Sequence, residues 1–230
     1  ERVTSRAPRV LDRGVPELFL TGQGLNRFVL FGPALFGPPI DRSTLLAGAL
    51  ALVKDQSDGR GLACAPLDAA NAAAVRGKVA VIDRGTCAFV DKARNAQNAG
   101  AKGALFIDNA PGSPPDEVGA EPDNTITIPS GRVTQADGAA IKSAVAAGQP
   151  PFNVPYAVLF LNQARLAGAD YGNRLYLWTP NPVQPGSSVS HYDRSAKRNL
   201  LMEPNISDDL TSSVNAPQDL TFELLRDIGW

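Results

Sequence analysis

The stretch GKVAVIDRGTCAFVDKARNAQNAGAKGALFIDN, residues 77–109, decides the fold of this chain. Val79–Ile82 is a short apolar run with β-branched residues, which predicts a buried strand that ends at a turn over Asp83–Gly85. Ala104–Ile107 is a second run of the same kind and predicts a second buried strand. The segment between them is long enough for a helix, so we expect a βαβ unit with a right-handed crossover.

The segment between the two runs has helical periodicity. Phe89, Ala93 and Ala96 recur at the spacing of one helix face, and the polar residues between them predict a solvated opposite face. Gly100 is placed to end the helix in the left-handed conformation that suits glycine. The residues expected on the solvated face are Asp91, Lys92, Arg94, Asn95 and Gln97.

The composition is that of an ordinary globular protein. The 230 residues are 43% hydrophobic and 20% charged, with a net charge of −1. The absence of a Lys/Arg run argues against nucleic acid as a partner, and the apolar stretches are too short for a membrane span. The chain begins at Glu1 without a methionine or signal sequence, which we expect of a processed or excised product. The many amide side chains and the 19 prolines favour an extracytoplasmic protein.

Outside the central unit the sequence predicts shorter elements, and for one of them it does not decide between strand and helix. Residues 1–29 are expected to be a solvated lead-in, and from residue 162 onward the character changes to aromatic and then proline-rich sequence. In chain order, we expect an edge strand and loop over Phe28–Phe36, a strand or short helix over Leu45–Val53, one helical turn over Asp68–Val75, a third strand over Thr125–Ile128, a helix from Thr134 to Gly148 that begins with a capping box to Asp137, and a last strand over Tyr156–Leu161.

The central residues also resemble a known family. The segment 81–89, VIDRGTCAF, with Lys92-Ala93 and the alanine-rich run 95–101, is similar to the protease-associated (PA) domain of secreted peptidases and sorting receptors. The resemblance implies a domain over residues 30–162 that is not catalytic and contacts proteins or peptides. It implies an α+β fold, a PA-type β-sheet or open barrel flanked by helices, with strand and helix order β-α-β-β-α-β over an antiparallel lid.

Cys64 and Cys87 are the two cysteines of the chain, one on each side of the first predicted strand. A return of the chain would bring them together, and the alternative is two buried free thiols. The secreted character of the similar proteins favours a disulfide, which would stabilise the fold by roughly 3 kcal/mol for a loop of this size.

An acidic loop follows the central unit over Ala110–Asn124. Asp116, Glu117, Glu121 and Asp123 supply four carboxylates, the ligand type that calcium prefers. They lack the alternating spacing of a calcium-binding loop, so we favour a solvated acidic loop over a calcium site.

The tail carries a second resemblance. Gly186–Asp193 and Asn199–Pro204 resemble the carboxy-terminal part of a leishmanolysin-like metzincin zinc peptidase, which implies His191 as the third zinc ligand and Met202 as the Met-turn beneath the metal. In that family a PA domain can lie between the H-E-x-x-H helix and the third histidine. A closing helix is expected to pack under such a site, with an apolar face of Leu220, Leu224, Leu225 and Ile228 and with Trp230 at its end.

The zinc chemistry is incomplete in this sequence. A catalytic zinc needs about three protein ligands with an activated water, and His191 is the single histidine of the chain. No H-E-x-x-H segment is present. A site that combined His191 with Asp193, Glu203 or Asp208 would be poor in nitrogen ligands. Zinc is therefore expected only in a complete parent protein.

Plain structural roles are the alternatives for the tail residues. His191 is otherwise a structural or exposed histidine, and Met202 an ordinary packing residue. Serine catalysis has no support, since no G-x-S-x-G elbow accompanies the single histidine. Asn205 begins a weak glycosylation sequon.

The sequence therefore predicts a lead-in (1–29), a PA domain (30–162) and a metzincin-like C-terminal subdomain (163–230). The chain is expected to be the non-catalytic, PA-containing portion of a secreted zinc metallopeptidase. Its expected partners are a protein or peptide and the missing N-terminal catalytic half. One alternative is a stand-alone binding module with a structural tail. The other is a hydrolase with an unrecognised site, using Asp116, Glu117 and Glu121.

Overall fold

The structure, a computed structural model, describes residues 11–55, 58–112, 117–119, 122–148, 153–180, 183–196, 202–204, 225–226 and 229. Within these residues the fold is mixed α+β, with three helices and one sheet of eight strands, which confirms the predicted fold class. The elements are β1 (Arg13–Gly22), β2 (Leu25–Val29), β3 (Gly32–Pro33), β4 (Leu45–Leu52), α1 (Ala69–Val75), β5 (Val79–Asp83), α2 (Phe89–Asn98), β6 (Gly103–Ile107), β7 (Ser130–Val133), α3 (Gln135–Ala147) and β8 (Tyr156–Leu166).

The sheet has the strand order β2-β1-β8-β4-β5-β6-β7-β3. Strands β4, β5, β6 and β7 pair in parallel and form its centre. Strand β4 joins this centre to the other half of the sheet, because it pairs in parallel with β5 and antiparallel with β8. The sequence left Leu45–Val53 open between strand and helix, and the structure has a strand there.

The predicted βαβ unit is confirmed. Strands β5 and β6 are parallel and every residue in both is buried, as expected for strands covered on two faces. Ala93 and Ala96 of α2 are fully buried, so the helix lies close to the sheet. Gly100 ends the helix with φ of +87°, in the left-handed region that was expected.

One residue of α2 departs from the expectation. Lys92, predicted on the solvated face, is fully buried. It lies three residues after Phe89 and four before Ala96, which places it on the same helix face as the apolar residues. The prediction followed the charge of the side chain, whereas the helical spacing alone would have placed it inside.

The predicted third strand over Thr125–Ile128 is wrong. Two backbone N–H groups of this segment bind side chains instead of a neighbouring strand: that of Thr125 donates to Asp123 Oδ1 at 2.8 Å, and that of Thr127 donates to Gln97 Oε1 at 2.6 Å. Ile126 and Ile128 are buried, which produced the strand-like alternation. The third parallel strand is β7, which begins at Ser130.

The helix expected from Thr134 is confirmed as α3. Thr134 Oγ1 accepts a hydrogen bond from the Asp137 backbone N–H at 3.0 Å and donates one to Asp137 Oδ2 at 2.8 Å, a variant of the capping box. In contrast, the expected solvated lead-in contains β1 and β2, whose pairing runs from Leu18–Val29 to Gly22–Leu25.

The chain divides into two compact units, residues 16–161 and residues 1–15 with 162–230. In the first unit the sheet separates two apolar clusters. Ala80, Ile82 and Phe106 pack with α2 on one face, and Val81, Leu105 and Leu159 pack with Ile141 of α3 on the other. In the second unit a small cluster contains Leu11, Leu166, Ala169, Tyr192 and Ala196. The predicted domain limits remain predictions.

Candidate functional site

A cavity of about 420 Å³ opens beside α1, within the unit of residues 16–161. This volume lies in the range of small-ligand and peptide side-chain pockets. Its walls come from β4, α1, the loop before β5, the C-terminal end of α3 and the segment before β8. They are formed by Leu50, Ala51, Leu52, Lys54, Asp68, Ala70, Asn71, Ala74, Lys78, Val145, Gly148, Val154 and Pro155.

Hydrogen bonds hold the walls of this cavity in place. Asp68 caps α1 by accepting from the Asn71 backbone N–H at 2.8 Å. The buried Asn71 side chain then binds both backbone groups of Lys54, accepting from its N–H at 2.8 Å and donating to its C=O at 3.3 Å. The end of β4 is therefore fixed to α1, and Lys54 projects from a rigid backbone position.

The charged side chains in the cavity lining are two lysines and one aspartate, so the lining has a net positive charge. Lys54 and Lys78 supply two ammonium groups, and neither forms an ion pair with a carboxylate of the described residues. Asp68 is the single carboxylate in the lining, and it is already the cap of α1. The remaining lining is mainly alanine, leucine, valine and proline. Such a site suits a ligand with an apolar portion and a negative group.

The turn after β5 lies elsewhere in the same unit. Cys64 and Cys87 form the expected disulfide. Beside it, the Lys92 ammonium donates to the Leu62 carbonyl at 2.6 Å and approaches Cys64 Sγ at 3.6 Å. Burial lowers the pKa of Lys92, while the charge of Asp55 acts in the opposite direction.

Arg84, in the turn after β5, forms an ion pair within the PA-like unit of residues 16–161. Its guanidinium forms an ion pair with Asp108 at 2.7 Å, and Arg132 of β7 approaches the same carboxylate at 3.2 Å. Burial alone would raise the pKa of Asp108, but the hydrogen bond from Arg84 and the charges of both arginines outweigh it, so the pKa is lowered. These contacts tie the C-terminal ends of β5, β6 and β7 together.

In the second unit, the structure brings the backbone next to His191 close to Met202. The Tyr192 N–H donates to the Met202 carbonyl at 2.8 Å, and His191 Nδ1 lies 2.9 Å from Ser190 Oγ. Asp193 Oδ1 accepts from the Ser195 backbone N–H at 2.9 Å and from the Ser195 hydroxyl at 2.6 Å.

The described residues contain no group of three or more His, Cys, Asp or Glu side chains that could hold a metal ion. Within this part of the chain the donors therefore do not fit a zinc site. The other tail predictions fall on Asn205, Asp208, Leu220, Leu224, Ile228 and Trp230, which lie outside the described residues, whereas Glu203 and Leu225 are described.

The acidic loop is described only in part. Asp116 and Glu121 lie outside the described residues, and Glu117 is described. Asp123 contacts Arg94 at 2.6 Å and both donors of Thr125, so its oxygens already have protein partners. No helix in the described part of the chain is long and apolar enough to cross a membrane.

Comparison with protein families identifies the central part of the chain. The model of the PA domain matches from Leu46 at the start of β4 to Ile141 in α3. Residues 46–141 form a PA domain. The match includes β5, α2, β6, the disulfide and Lys92, and most of the cavity lining, so these features belong to the PA domain.

The PA domain is similar to segments of proteins that are named as different kinds of protein. ER degradation-enhancing alpha-mannosidase-like protein 3 of Xenopus laevis is 45% identical over 85 residues, which cover 37% of this chain and 9% of that protein. Vacuolar-sorting receptor 2 of Arabidopsis thaliana is 46% identical over 77 residues, covering 30% of this chain and 12% of that protein. Leucine aminopeptidase 2 of Arthroderma otae is 33% identical over 108 residues, covering 44% and 21%. The matched segments are thus a small part of each relative's length.

Two peptidases are among the solved structures to which the chain is similar. BSAP, a zinc aminopeptidase from Bacillus subtilis, has a TM-score of 0.42 at 24% identity and covers 68% of this chain and 36% of that chain. A peptidase M28 precursor from Shewanella amazonensis has a TM-score of 0.44 at 14% identity and covers 66% and 35%. The comparisons support the PA part of the resemblance and give no support to its leishmanolysin-like metzincin part.

The sequence did not indicate the residues that give the cavity its charge. Lys54 follows β4 and Lys78 precedes β5, and because these strands are parallel neighbours, the two lysines lie near opposite ends of them. The helix α1 brings both into one lining. No periodic or spacing signal in the sequence marks such a pair, whereas the burial of Lys92 was available from helical spacing.

Proposed function

We propose that this chain is the PA-containing portion of a secreted zinc metallopeptidase, and that its PA domain binds a protein or peptide without taking part in bond cleavage. The observation that carries the binding role is the range of names among the relatives: a mannosidase-like protein, a sorting receptor and an aminopeptidase share this segment. A segment common to proteins with such different activities does not carry the chemistry of any one of them. Contact with another polypeptide is a role that all three could use.

An extracytoplasmic location fits the same proposal. The disulfide between Cys64 and Cys87 is of a kind that persists in oxidising compartments. Two of the relatives are named for the endoplasmic reticulum and the vacuole.

The cavity beside α1 is the part of the PA domain best suited to hold a peptide. Its volume accommodates one or two side chains, and its apolar walls with two ammonium groups favour an acidic residue next to an aliphatic one. The rigid attachment of Lys54 through Asn71 reduces the entropy that binding would cost. We therefore assign an acidic peptide as the ligand class.

A fluorescent peptide with the sequence Leu-Glu-Leu-Glu, compared with its Leu-Gln-Leu-Gln counterpart, tests this assignment by anisotropy. The acidic peptide should bind more tightly, and the double substitution Lys54→Glu with Lys78→Glu should weaken it about tenfold, equivalent to about 1.4 kcal/mol. Lys102→Glu, at an exposed site outside the cavity lining, is the matched control and should leave binding unchanged. Equal binding of the two peptides, or the same loss in the control, would contradict the site.

A second candidate role concerns the tail. We propose that His191 is one ligand of a zinc site whose other ligands lie outside this chain, in a metzincin-like parent. The hydrogen bond between Tyr192 and Met202 favours it, because it places the backbone beside the histidine next to the predicted Met-turn. A stand-alone module with a structural tail is the alternative, in which this hydrogen bond only packs the tail.

Elemental analysis of the purified chain tests whether the metal site is complete in this polypeptide. After dialysis against zinc and then buffer, we expect well under one zinc per chain, no difference between the natural chain and His191→Ala, and no chelator-sensitive peptide hydrolysis. One zinc per chain that is lost in His191→Ala would overturn the proposal that the other ligands lie elsewhere. Hydrolysis insensitive to chelator would favour the unrecognised hydrolase.

A further inference from the structure

The disulfide and the lysine beside it take no part in the binding or zinc proposals. The Lys92 ammonium lies 3.6 Å from Cys64 Sγ and is fully buried, whereas both cysteines are half-buried. Among the described residues, no carboxylate lies within ion-pair distance of Lys92. The two sulfurs of the bond are therefore not equivalent, because one of them has a buried cation beside it.

Burial and nearby charge act on the pKa of Lys92 in opposite directions. Burial lowers its pKa, and the carboxylates of Asp55 and Asp83 act in the opposite direction. Asp83 is paired with Lys142 at 2.6 Å, and Asp55 accepts from two backbone N–H groups at 2.7 Å each. Both carboxylates therefore have closer partners than Lys92, whose direct contacts are a carbonyl and a sulfur.

Other groups also act on the two sulfurs. The carbonyl oxygens of Leu62 and Gly85 lie 3.8 Å from Cys64 Sγ and disfavour negative charge there. The N-terminus of α2 follows Cys87 directly and carries about half a positive charge. A full ammonium charge at 3.6 Å in a buried position exceeds a partial charge at a helix end and two neutral dipoles. Negative charge is therefore better stabilised on Cys64.

We infer that Cys87 Sγ is the site at which a dithiol reductant opens this disulfide, with Cys64 leaving as a thiolate paired with the Lys92 ammonium. A thiolate of the dithiol attacks Cys87 Sγ, the bond between the cysteines breaks, and its electron pair goes to Cys64 Sγ. The second thiol of the reductant then attacks the reductant's own sulfur in the mixed disulfide and releases Cys87. The dithiol is oxidised to a disulfide, and the two cysteines receive its two electrons.

The segment that carries Cys64 is held without the disulfide. Asp55 accepts from the N–H groups of Leu62 and Ala63, Lys92 donates to the Leu62 carbonyl, and Asn95 donates to the Ala63 carbonyl at 2.8 Å. These four hydrogen bonds keep Cys64 near its oxidised position after reduction. We therefore expect the exchange to be reversible and the PA domain to keep its fold in the reduced form.

Trapping with reduced glutathione tests the direction of attack in the natural chain. Glutathione has no second thiol in the same molecule, so it resolves the mixed disulfide only through a second glutathione molecule. Acid quenching after a short reaction, followed by alkylation and peptide mass mapping, therefore shows which cysteine carries it. We expect glutathione on Cys87 about tenfold more often than on Cys64, as a leaving group of lower pKa leaves faster. Lys92→Met should reduce this preference, and Lys102→Met should not. Equal labelling, or a preference for Cys64, would overturn the inference.

A second measurement uses chains in which Lys92 is unchanged, so it does not depend on the folding of the Lys92 variant. In Cys87→Ser the thiol of Cys64 is free, and in Cys64→Ser that of Cys87 is free. The pH dependence of their reaction with iodoacetamide gives each pKa. We expect Cys64 to titrate below the ordinary value of about 8.5 and below Cys87. A lower pKa at Cys87 than at Cys64 would contradict the proposal.

Discussion

The carboxylate of Asp123 interacts with Thr125 in its own loop and with Arg94 on α2. Its carboxylate accepts from the Thr125 hydroxyl at 2.6 Å and the Thr125 N–H at 2.8 Å, and it contacts Arg94 at 2.6 Å. The hydrogen bond from the Thr125 hydroxyl is the largest cause, followed by that from Arg94, and together they lower the pKa of Asp123 to about 2. The sequence offered this carboxylate as a possible calcium ligand, whereas in the structure it shapes the turn before β7.

This lowered pKa predicts how stability depends on pH. Because the folded pKa lies below the unfolded value of about 3.9, the contribution of Asp123 is present above about pH 4 and is lost as the pH falls through 2. Asp123→Asn should therefore melt at a lower temperature than the natural chain at pH 6. Its melting temperature should also fall less steeply between pH 4 and 2. Thermal unfolding followed by circular dichroism measures both.

Asp91→Asn serves as the control for this prediction. Asp91 is exposed on α2 and forms no ion pair with a described cation. Its variant should follow the pH profile of the natural chain. If Asp123→Asn also followed that profile, the contacts of Asp123 would not contribute to stability.

At the scale of elements, the packing of α3 on β6 depends on a glycine. A Cβ added at Gly138 would lie 2.1 Å from Ile107 Cγ2 and 2.9 Å from its Cβ. The β-branched side chain cannot swing away from both contacts. Alanine would gain about 1 kcal/mol of helix propensity, but such overpacking costs about 1–3 kcal/mol. The net expectation is that Gly138→Ala loses up to about 2 kcal/mol of unfolding free energy in urea titrations.

A double variant separates steric overlap from other effects of Gly138→Ala. Ile107→Ala removes Cγ2 and Cγ1, which would lie 2.1 and 2.8 Å from the added Cβ, and leaves only its own Cβ at 2.9 Å. Gly138→Ala should therefore cost less in that background than in the natural chain. Ala139→Ser, at an exposed position of the same helix, should change stability little. An equal cost of Gly138→Ala in both backgrounds would show that the contact with Ile107 is not the cause.

Elements built from local sequence were predicted well, and those that depend on side chains from elsewhere were not. The βαβ unit was predictable because the two runs, the helix periodicity and Gly100 agree with one another. The segment 125–128 alternates like a strand, but Asp123 and Gln97 take its backbone N–H groups. A single sequence gives no sign of that competition.

At the scale of the whole molecule, the sequence predicts the central strands β5 and β6 of the sheet but not the strands β1 and β2 at one edge. Arginines and prolines spread through residues 1–29 predict a solvated lead-in, whereas strands β1 and β2 lie within that stretch. Strand β1 is held beside β8, more than a hundred residues later, and such pairing leaves no local pattern. The cavity was missed for the same reason, since its lysines follow and precede different strands.

The adjacency of β1 and β8 has a consequence for the insertion of residues 12–167 into another protein. The chain arrives along one of these strands and departs along the other, and the Ala167 N–H donates to the Asp12 carbonyl at 3.0 Å where they meet. A unit whose two chain connections lie side by side replaces a short loop of a host without forcing the host's own strands or helices apart. Transplanting residues 12–167 into a surface turn of an unrelated carrier should thus leave both partners folded.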